Sequence, residues 1–221
     1  MNESMQLRVL AVSVGRPRII GTLDGEPVLS GIAKSPVSEE IVFVGATNIR
    51  GDGQADLRVH GGVDKAVYAY PSDHWTWWEG QHRLPCKPAA FGENLTTEGA
   101  DETQVAIGDR FRWGQALLEV SQPRAPCFKF AMHTGRADAP QIMTLSARCG
   151  WYLRVVEEGQ APANGMLTRE FQSGAPSVRD AFLAATHPQL SAESRNRVRE
   201  IPALSSAWRD AVTRRVAGSR T

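Results

Sequence analysis

No apolar run in the 221 residues approaches the roughly 20 residues that a membrane-spanning helix needs. That excludes a helical span, and no membrane partner is expected. The first apolar run, Leu7 to Val14, is short, follows an acid and lacks a small-residue cleavage site. It reads as a strand rather than a secretory leader, and a cytoplasmic location is the expectation. Cysteine is scarce: Cys86, Cys127 and Cys149 are odd in number and far apart. They make neither a disulfide framework nor a zinc finger. Three thiolates also fall short of the four that an all-cysteine iron–sulfur cluster takes. An excess of one charge is missing too. The formal net charge is +1, so no whole-molecule field draws the chain to nucleic acid or anionic lipid. Internal repeats and low-complexity tracts are absent, which excludes a repeat architecture.

What is present suits one large domain, or one domain with a small appendage. Hydrophobic residues make up 42% and charged residues 22%, enough to bury a real core. Short strand signals fill the first part. LRVLAVSV and EEIVFVGA are apolar and β-branched, KAVYAY alternates up to Pro71, and GWYLRVVEEG is closed by glycine. DRFRWGQALLEVS reads as a hairpin turning at Gly114-Gln115. Ser72 or Asp73 is placed to cap a short helix carrying Trp75, Trp77 and Trp78, and APQIMTLSARCG has helical spacing with a glycine stop. Many short strands with few helices predict a mainly β fold, a barrel or sandwich. Glycine, proline and asparagine in EEGQAPANGM, Glu157 to Met166, read as a linker. Beyond it, SVRDAFLAATH, SAESRNRVREI and ALSSAWRDAVTRRVAG predict three short helices in a small bundle, with Ser191 capping the second. The predicted division is a barrel over 1–163 and a helical domain over 164–221. Arg195, Arg197, Arg199, Arg209, Arg214, Arg215 and Arg220 make that end basic. Glu193, Glu200 and Asp210 interrupt them, and no aromatic stacking platform accompanies them, so nucleic acid is not the expected partner.

Five stretches hold residues suited to chemistry. In VSQPRAPCFKF, Cys127 follows Pro123, Arg124 and Pro126 and precedes Lys129. Cations favour the thiolate, and the prolines stiffen the loop. A small buried hydrophobe is the competing reading of that cysteine. GDGQADLRVHGGVDKAVYAY surrounds Asp52, Gln54, Asp56, His60, Asp64 and Lys65 with glycines, including Gly61 and Gly62. Such backbone can approach a ligand closely or form an anion nest, and His60 suits proton delivery. A polar β-turn with a structural histidine is the alternative. In FGENLTTEG, Glu93 and Asn94 orient a ligand or cap a turn, and the turn is favoured. GRPR, with Arg16 and Arg18, and KSPVSEE, with Lys34, offer cations for phosphate or simply solvated loops.

The series GDGQAD, HGGVDKAVYAYP, FGENLT and GDRFRWGQALLEVSQPRAPC, followed by a late GW and a strand, closely resembles the YiiM branch of the MOSC (molybdenum cofactor sulfurase C-terminal) proteins. The resemblance runs from about Lys34 through Val156, and the helices after it resemble the small "3-alpha" domain of that branch. It implies a MOSC β-barrel with a few packed helices, binding of the molybdenum–pterin cofactor, and Cys127 as the molybdenum ligand. It also implies reduction of N-hydroxylated compounds such as hydroxylaminopurines and amidoximes, a detoxification. On that footing Arg16, Arg18, Lys34, Gln54, Gly61, Gly62, Lys65, Glu93, Asn94 and Arg124 are the expected cofactor-binding residues. Cys127, His60, Asp64 and Asp56 are the expected catalytic ones, with the last three as alternative proton donors. The chain lacks the cysteines of a fused iron–sulfur module, so electrons are expected from a separate flavoprotein reductase or ferredoxin. A different reading stays open, in which Cys127 serves a sulfur or cofactor carrier.

Overall fold

The structure is a computed structural model that describes residues 4–55 and 61–218. Its elements run in chain order as β1 (Gln6–Val14), β2 (Arg18–Leu23), β3 (Glu26–Ser30), β4 (Ser35–Pro36), β5 (Ile41–Gly45), β6 (Asn48–Ile49), β7 (Val67–Pro71), α1 (Trp75–His82), β8 (Leu95–Glu98), β9 (Arg110–Trp113) and β10 (Ala116–Pro123). There follow α2 (Phe128–Thr134), α3 (Ala139–Ser146), β11 (Trp151–Glu157), β12 (Gly159–Pro162), β13 (Gly165–Phe171), α4 (Val178–Thr186), α5 (Ala192–Arg199) and α6 (Ser206–Gly218).

Seven strands close into a barrel in the order β1-β8-β7-β11-β10-β9-β13, with β13 pairing back onto β1. The β7–β8 pair is parallel and the other barrel pairs are antiparallel. The sequence shows why these strands form. In β1, Leu7 and Val9 are buried while Gln6 and Arg8 face out, the period of two expected of a strand with one covered face. Every residue of β7 and β10 is buried, because other elements cover these strands on both sides. The expected hairpin is present: Gly114, at φ +58, turns β9 into β10.

The stretch read as a linker belongs to the sheets. β12 pairs with β5, Gly159 opposite Val44 and Ala161 opposite Val42, with Gly159 and Ala161 buried. Glycine and proline there fit the strand instead of ending it. β13 lies beyond the expected boundary at 163/164, yet it closes the barrel, with Gln6 opposite Thr168 and Thr168 opposite Arg112. The barrel chain therefore extends to Phe171.

The three C-terminal helices follow the expected pattern. Ser177 and Asp180 form a capping box at the start of α4, and Ser191 accepts from the Ser194 N–H at α5. They share one apolar core with the barrel, to which they contribute Phe182, Val198 and Trp208. Ser205 fastens them to β10: its N–H donates to the Ser121 carbonyl at 3.0 Å and its hydroxyl to Gln122 Oε1 at 2.8 Å. Arg195 is 1% exposed and donates to the carbonyls of Ala184 (3.2 Å), His187 (2.5 Å) and Leu190. Arg209 donates to those of Ile201 (2.8 Å) and Leu204 (3.2 Å). Part of the basic run thus ties off helix ends. Two details of the sequence reading change. No side chain caps α1; Asp73 instead accepts from the Gly99 N–H at 3.2 Å. α3 ends on Ala147 in the left-handed region (φ 55) before it reaches the expected Gly150.

Candidate functional site

β10 ends at Pro123, and the segment that follows carries Arg124 and Cys127 to the start of α2. Arg124 N–H donates to the Gly150 carbonyl at 3.3 Å, tying the segment to the foot of β11. A Cβ on Gly150, which has φ +65, would stand 2.3 Å from the Ala69 carbonyl oxygen, so this crossing admits only glycine. Cys127 is extended (φ −137, ψ 173) and its carbonyl accepts from the Phe130 N–H at 2.9 Å. Phe130 is fully buried and anchors the turn. The Cys127 thiol, half-buried, faces a cleft of about 660 Å³ including its open mouth.

Four cations line that cleft among the described residues, Lys34, Lys65, Arg124 and Lys129, against one carboxylate, Asp52. Arg124 is 5% exposed. Its guanidinium lies over the rings of Tyr68 (5.3 Å) and Phe130 (4.8 Å), and Nη1 points at Met143 Sδ (3.1 Å). Burial works against its charge, but Tyr68, Tyr152 and the Cys127 and Cys149 sulfurs around it hold its pKa above the usual arginine value. No carboxylate among the described residues lies within ion-pair distance of it. A buried cation resting on aromatic faces, with no counter-charge of its own, leaves the cleft electropositive.

Asp52 organises the opposite wall. Its Oδ1 accepts from the Gly15 N–H (2.8 Å) and the Lys34 ammonium, and its Oδ2 accepts from Asn94 Nδ2 (2.9 Å). Asn94 Nδ2 also donates to the Ser13 carbonyl, and Asn94 Oδ1 accepts from the Tyr68 N–H, both at 3.1 Å. The Lys34 and Asp52 side chains are only 7% and 1% exposed. Burial lowers the Lys34 pKa, and Asp52 partly restores it. Two backbones touch in this wall: a Cβ on Gly31 would stand 2.1 Å from the Gly53 carbonyl oxygen.

Six residues expected at the site line the cleft: Cys127, Lys34, Gln54, Lys65, Asn94 and Arg124. Others do not. Asp64 is held by Arg154 (3.0 Å to Nε, 2.8 Å to Nη2), and Arg154 is shared with Glu119. An ion pair of this kind takes Asp64 out of the cleft as a proton donor. Glu93 is fully buried and accepts from the N–H groups of Ala89 (2.8 Å) and Phe91 (3.0 Å) and the Thr96 hydroxyl (2.8 Å). It closes its own loop, and burial raises its pKa despite those bonds. Gly61 and Gly62 lead into the short turn Val63–Lys65 and do not line the cleft. Arg16 and Arg18 are exposed on its rim. Asp56 and His60 lie outside the described residues.

Sequence reasoning missed Asp52 as a site residue, although it stands in the quoted GDGQAD. It noted Lys129 beside Cys127 without counting it among the cofactor-binding residues, and it missed Tyr68 and Tyr152. The two tyrosines are direct partners across β7 and β11, with ring centroids 5.2 Å apart. Only the strand pairing brings them together, and no local motif announces that.

The comparisons with known proteins agree with this architecture. A MOSC domain family model matches residues 56–168. Protein YiiM of Escherichia coli (strain K12) is 36% identical over 200 residues, covering 88% of each chain. The crystal structure of YiiM from Geobacillus stearothermophilus superposes with a TM-score of 0.78 at 33% identity, covering 95% of this chain and 99% of that one. A protein named "Reductase" from Gibberella moniliformis is 37% identical over 157 residues, 68% of this chain but only 27% of that longer protein. A closed β-barrel with a cysteine-bearing electropositive cleft defines the class. This chain belongs to the MOSC domain family.

Proposed function

We propose that this chain is a molybdenum-cofactor-dependent reductase of N-hydroxylated compounds, with hydroxylaminopurines and amidoximes as the substrate class. The observation that carries the reading is the accessible Cys127 thiol beside Arg124, a buried cation with no carboxylate partner among the described residues, in a cleft where the described cations outnumber the described acids. The donor set fits such a cofactor. One thiolate is the soft ligand that molybdenum accepts, and a single thiolate does not hold a metal alone. No group of three or more His, Cys, Asp or Glu among the described residues could do so either. The metal that fits arrives with its own ligands, as a pterin-bound one does. The anionic tail of the pterin calls for cations and backbone donors, and Lys34, Lys65, Arg124 and Lys129 are the candidates on the cleft wall. The family and the reductase-named relative support an oxidoreductase role.

The bound cofactor supplies a two-electron step at its metal. The balance is R–NHOH + 2e⁻ + 2H⁺ → R–NH2 + H2O, so the protein manages two protons and one leaving water. Lys34, its proton loosened by burial and its ammonium oriented by Asp52, stands in the cleft to give one. Arg124, held over the Tyr68 and Phe130 rings, keeps the Cys127 side of the cleft positive.

Cys127→Ser tests the reading. It keeps the side-chain size and removes the soft donor. Molybdenum content and hydroxylaminopurine reduction with an artificial electron donor are measured on protein from a cofactor-competent host. Loss of both is expected. Full metal and activity in the variant refutes the role of Cys127, and a persulfide on Cys127 without molybdenum in the wild type points instead to a sulfur carrier.

A further inference from the structure

The cations outside the cleft suggest how electrons reach it. Most arginines on the barrel are matched: Arg112 with Glu157 and Glu170, Arg154 with Asp64 and Glu119, Arg169 with Asp109. Arg16, Arg18 and Lys87 are exposed and, among the described residues, form no ion pair and no side-chain hydrogen bond. They are not scattered. Arg16 lies against Gly53 of the cleft wall, and Arg18 is the cross-strand partner of Ser30, which also lines the cleft. His133 of α2 donates to the Ala89 carbonyl at 3.2 Å, in the turn that Lys87 opens, and its pKa is lowered by burial first and then by the nearby charges of Arg124, Arg18 and Lys87. Lys129 completes the rim and holds the β2–β3 hairpin down through its bond to the Leu29 carbonyl at 3.0 Å. Exposed apolar side chains stand beside this rim. Ile19 and Leu29 face each other on the outer face of the hairpin, 64% and 46% exposed, and Phe128, next to Cys127, is 48% exposed. Charge next to exposed apolar groups is the make-up of a protein-binding face. On a chain of net charge +1, four cations around one cleft mouth make a local positive field that steers an acidic partner.

We propose that the rim formed by Arg16, Arg18, Lys87 and Lys129 beside the cleft mouth is the docking face for a small acidic electron carrier, flavin- or iron–sulfur-bearing. The inference rests on the reductase reading. The carrier gives up the two electrons that the reduction consumes; one of the two protons passes through Lys34, which water reprotonates, and the other comes from water through the cleft. Such encounters are brief, with interfaces below about 1,200 Å², and charge sets their rate more than their strength. It also reassigns Arg16 and Arg18, expected from sequence to hold phosphate, to the partner.

The test measures association of the cofactor-loaded chain with an acidic flavodoxin and an acidic ferredoxin, at low and at physiological salt. The wild type is compared with R16E/R18E/K87E, all three positions exposed and off the cleft lining. Molybdenum content and turnover with reduced methyl viologen, which needs no docking face, are recorded for both. The wild type is expected to bind at least one carrier, more weakly at higher salt. The variant is expected to lose at least about tenfold in association, with metal content and viologen turnover unchanged. Equal binding by the variant, no binding of either carrier by the wild type, or loss of molybdenum in the variant overturns the proposal. So does a salt-dependent affinity of the wild type for DNA or RNA alone. Carrier binding without viologen turnover in the wild type overturns the reductase reading and leaves the docking face standing.

Discussion

Asp52→Asn removes one charge and almost no volume from the cleft wall, and its consequence can be worked out from contacts. Two unit charges 4 Å apart attract by about 4 kcal/mol at an effective dielectric of about 20, and Lys34 and Asp52 are in direct contact. With the carboxylate gone, the ammonium stays 7% exposed with no counter-charge. The new amide has further trouble. Its oxygen, placed where Oδ1 was, still serves Gly15 and Lys34, but its NH2 then faces the NH2 of Asn94, which had donated to Oδ2 at 2.9 Å. Breaking a buried pair from one side costs about 3–5 kcal/mol, or about 6–20 °C in Tm for a chain of this size. The penalty depends on pH, with a fixed sign. Burial already lowers the Lys34 pKa from 10.5, and Asp52 is what holds it up; the variant lowers it further. A depressed amine pKa destabilises the fold in full below the folded value, and the loss fades as pH rises through that value towards 10.5. Urea unfolding is therefore expected to show a large deficit near pH 7 that shrinks by about pH 10. The double variant K34M/D52N, which removes both charges, is expected to recover much of the loss. A deficit below about 1 kcal/mol, or one equal at both pH values, refutes the description of Lys34 and Asp52 as a buried, mutually dependent pair.

Three other outcomes follow from contacts already described. Gly31→Ala drives a Cβ to 2.1 Å from the Gly53 carbonyl; the wall must open, at about 1–3 kcal/mol, and an unchanged urea midpoint would show that the two loops do not touch. Arg195→Met strands the carbonyls of Ala184, His187 and Leu190. A loss of about 3 kcal/mol is expected at 1–3 kcal/mol for each unsatisfied buried group, after partial rehydration, and a loss under about 0.5 kcal/mol would place the guanidinium in solvent. Inorganic phosphate is expected to stabilise cofactor-free protein by filling the electropositive cleft, by about 2.7 kcal/mol at a hundred times its Kd, seen as a raised Tm. General salt stabilisation acts on any variant, so the informative comparison is Arg124→Met, in which the cleft-specific part should vanish. Equal shifts in both proteins would mean that Arg124 does not hold the anion.

How much of this was legible in the sequence depends on distance along the chain. β1, β7, the β9–β10 hairpin and the Ser191 cap are written in adjacent residues, and the structure has them. The Glu157–Met166 stretch misled because glycine and proline were taken as breakers. What decides the matter is a partner some 115 residues away, since β5 offers Val42 and Val44 to Ala161 and Gly159, and a strand edge accepts glycine where another backbone comes close. The site divides in the same way. Cys127 and Arg124 sit in one rigid run and were visible together. Asp64 looked like a functional acid among glycines, and Glu93, whose own residues favoured a turn, was expected at the site only through the family resemblance. Their partners, Arg154 at a separation of 90 residues and the N–H groups of their own loop, are what give them structural work. Conversely, Asp52 gained its place only through Gly15, Lys34 and Asn94, contributed by three separate loops. A polar residue type announces that a group can ionise or donate. Which neighbours answer it is set by the barrel's closure, and that closure, with β13 returning to β1, is recorded in no short motif.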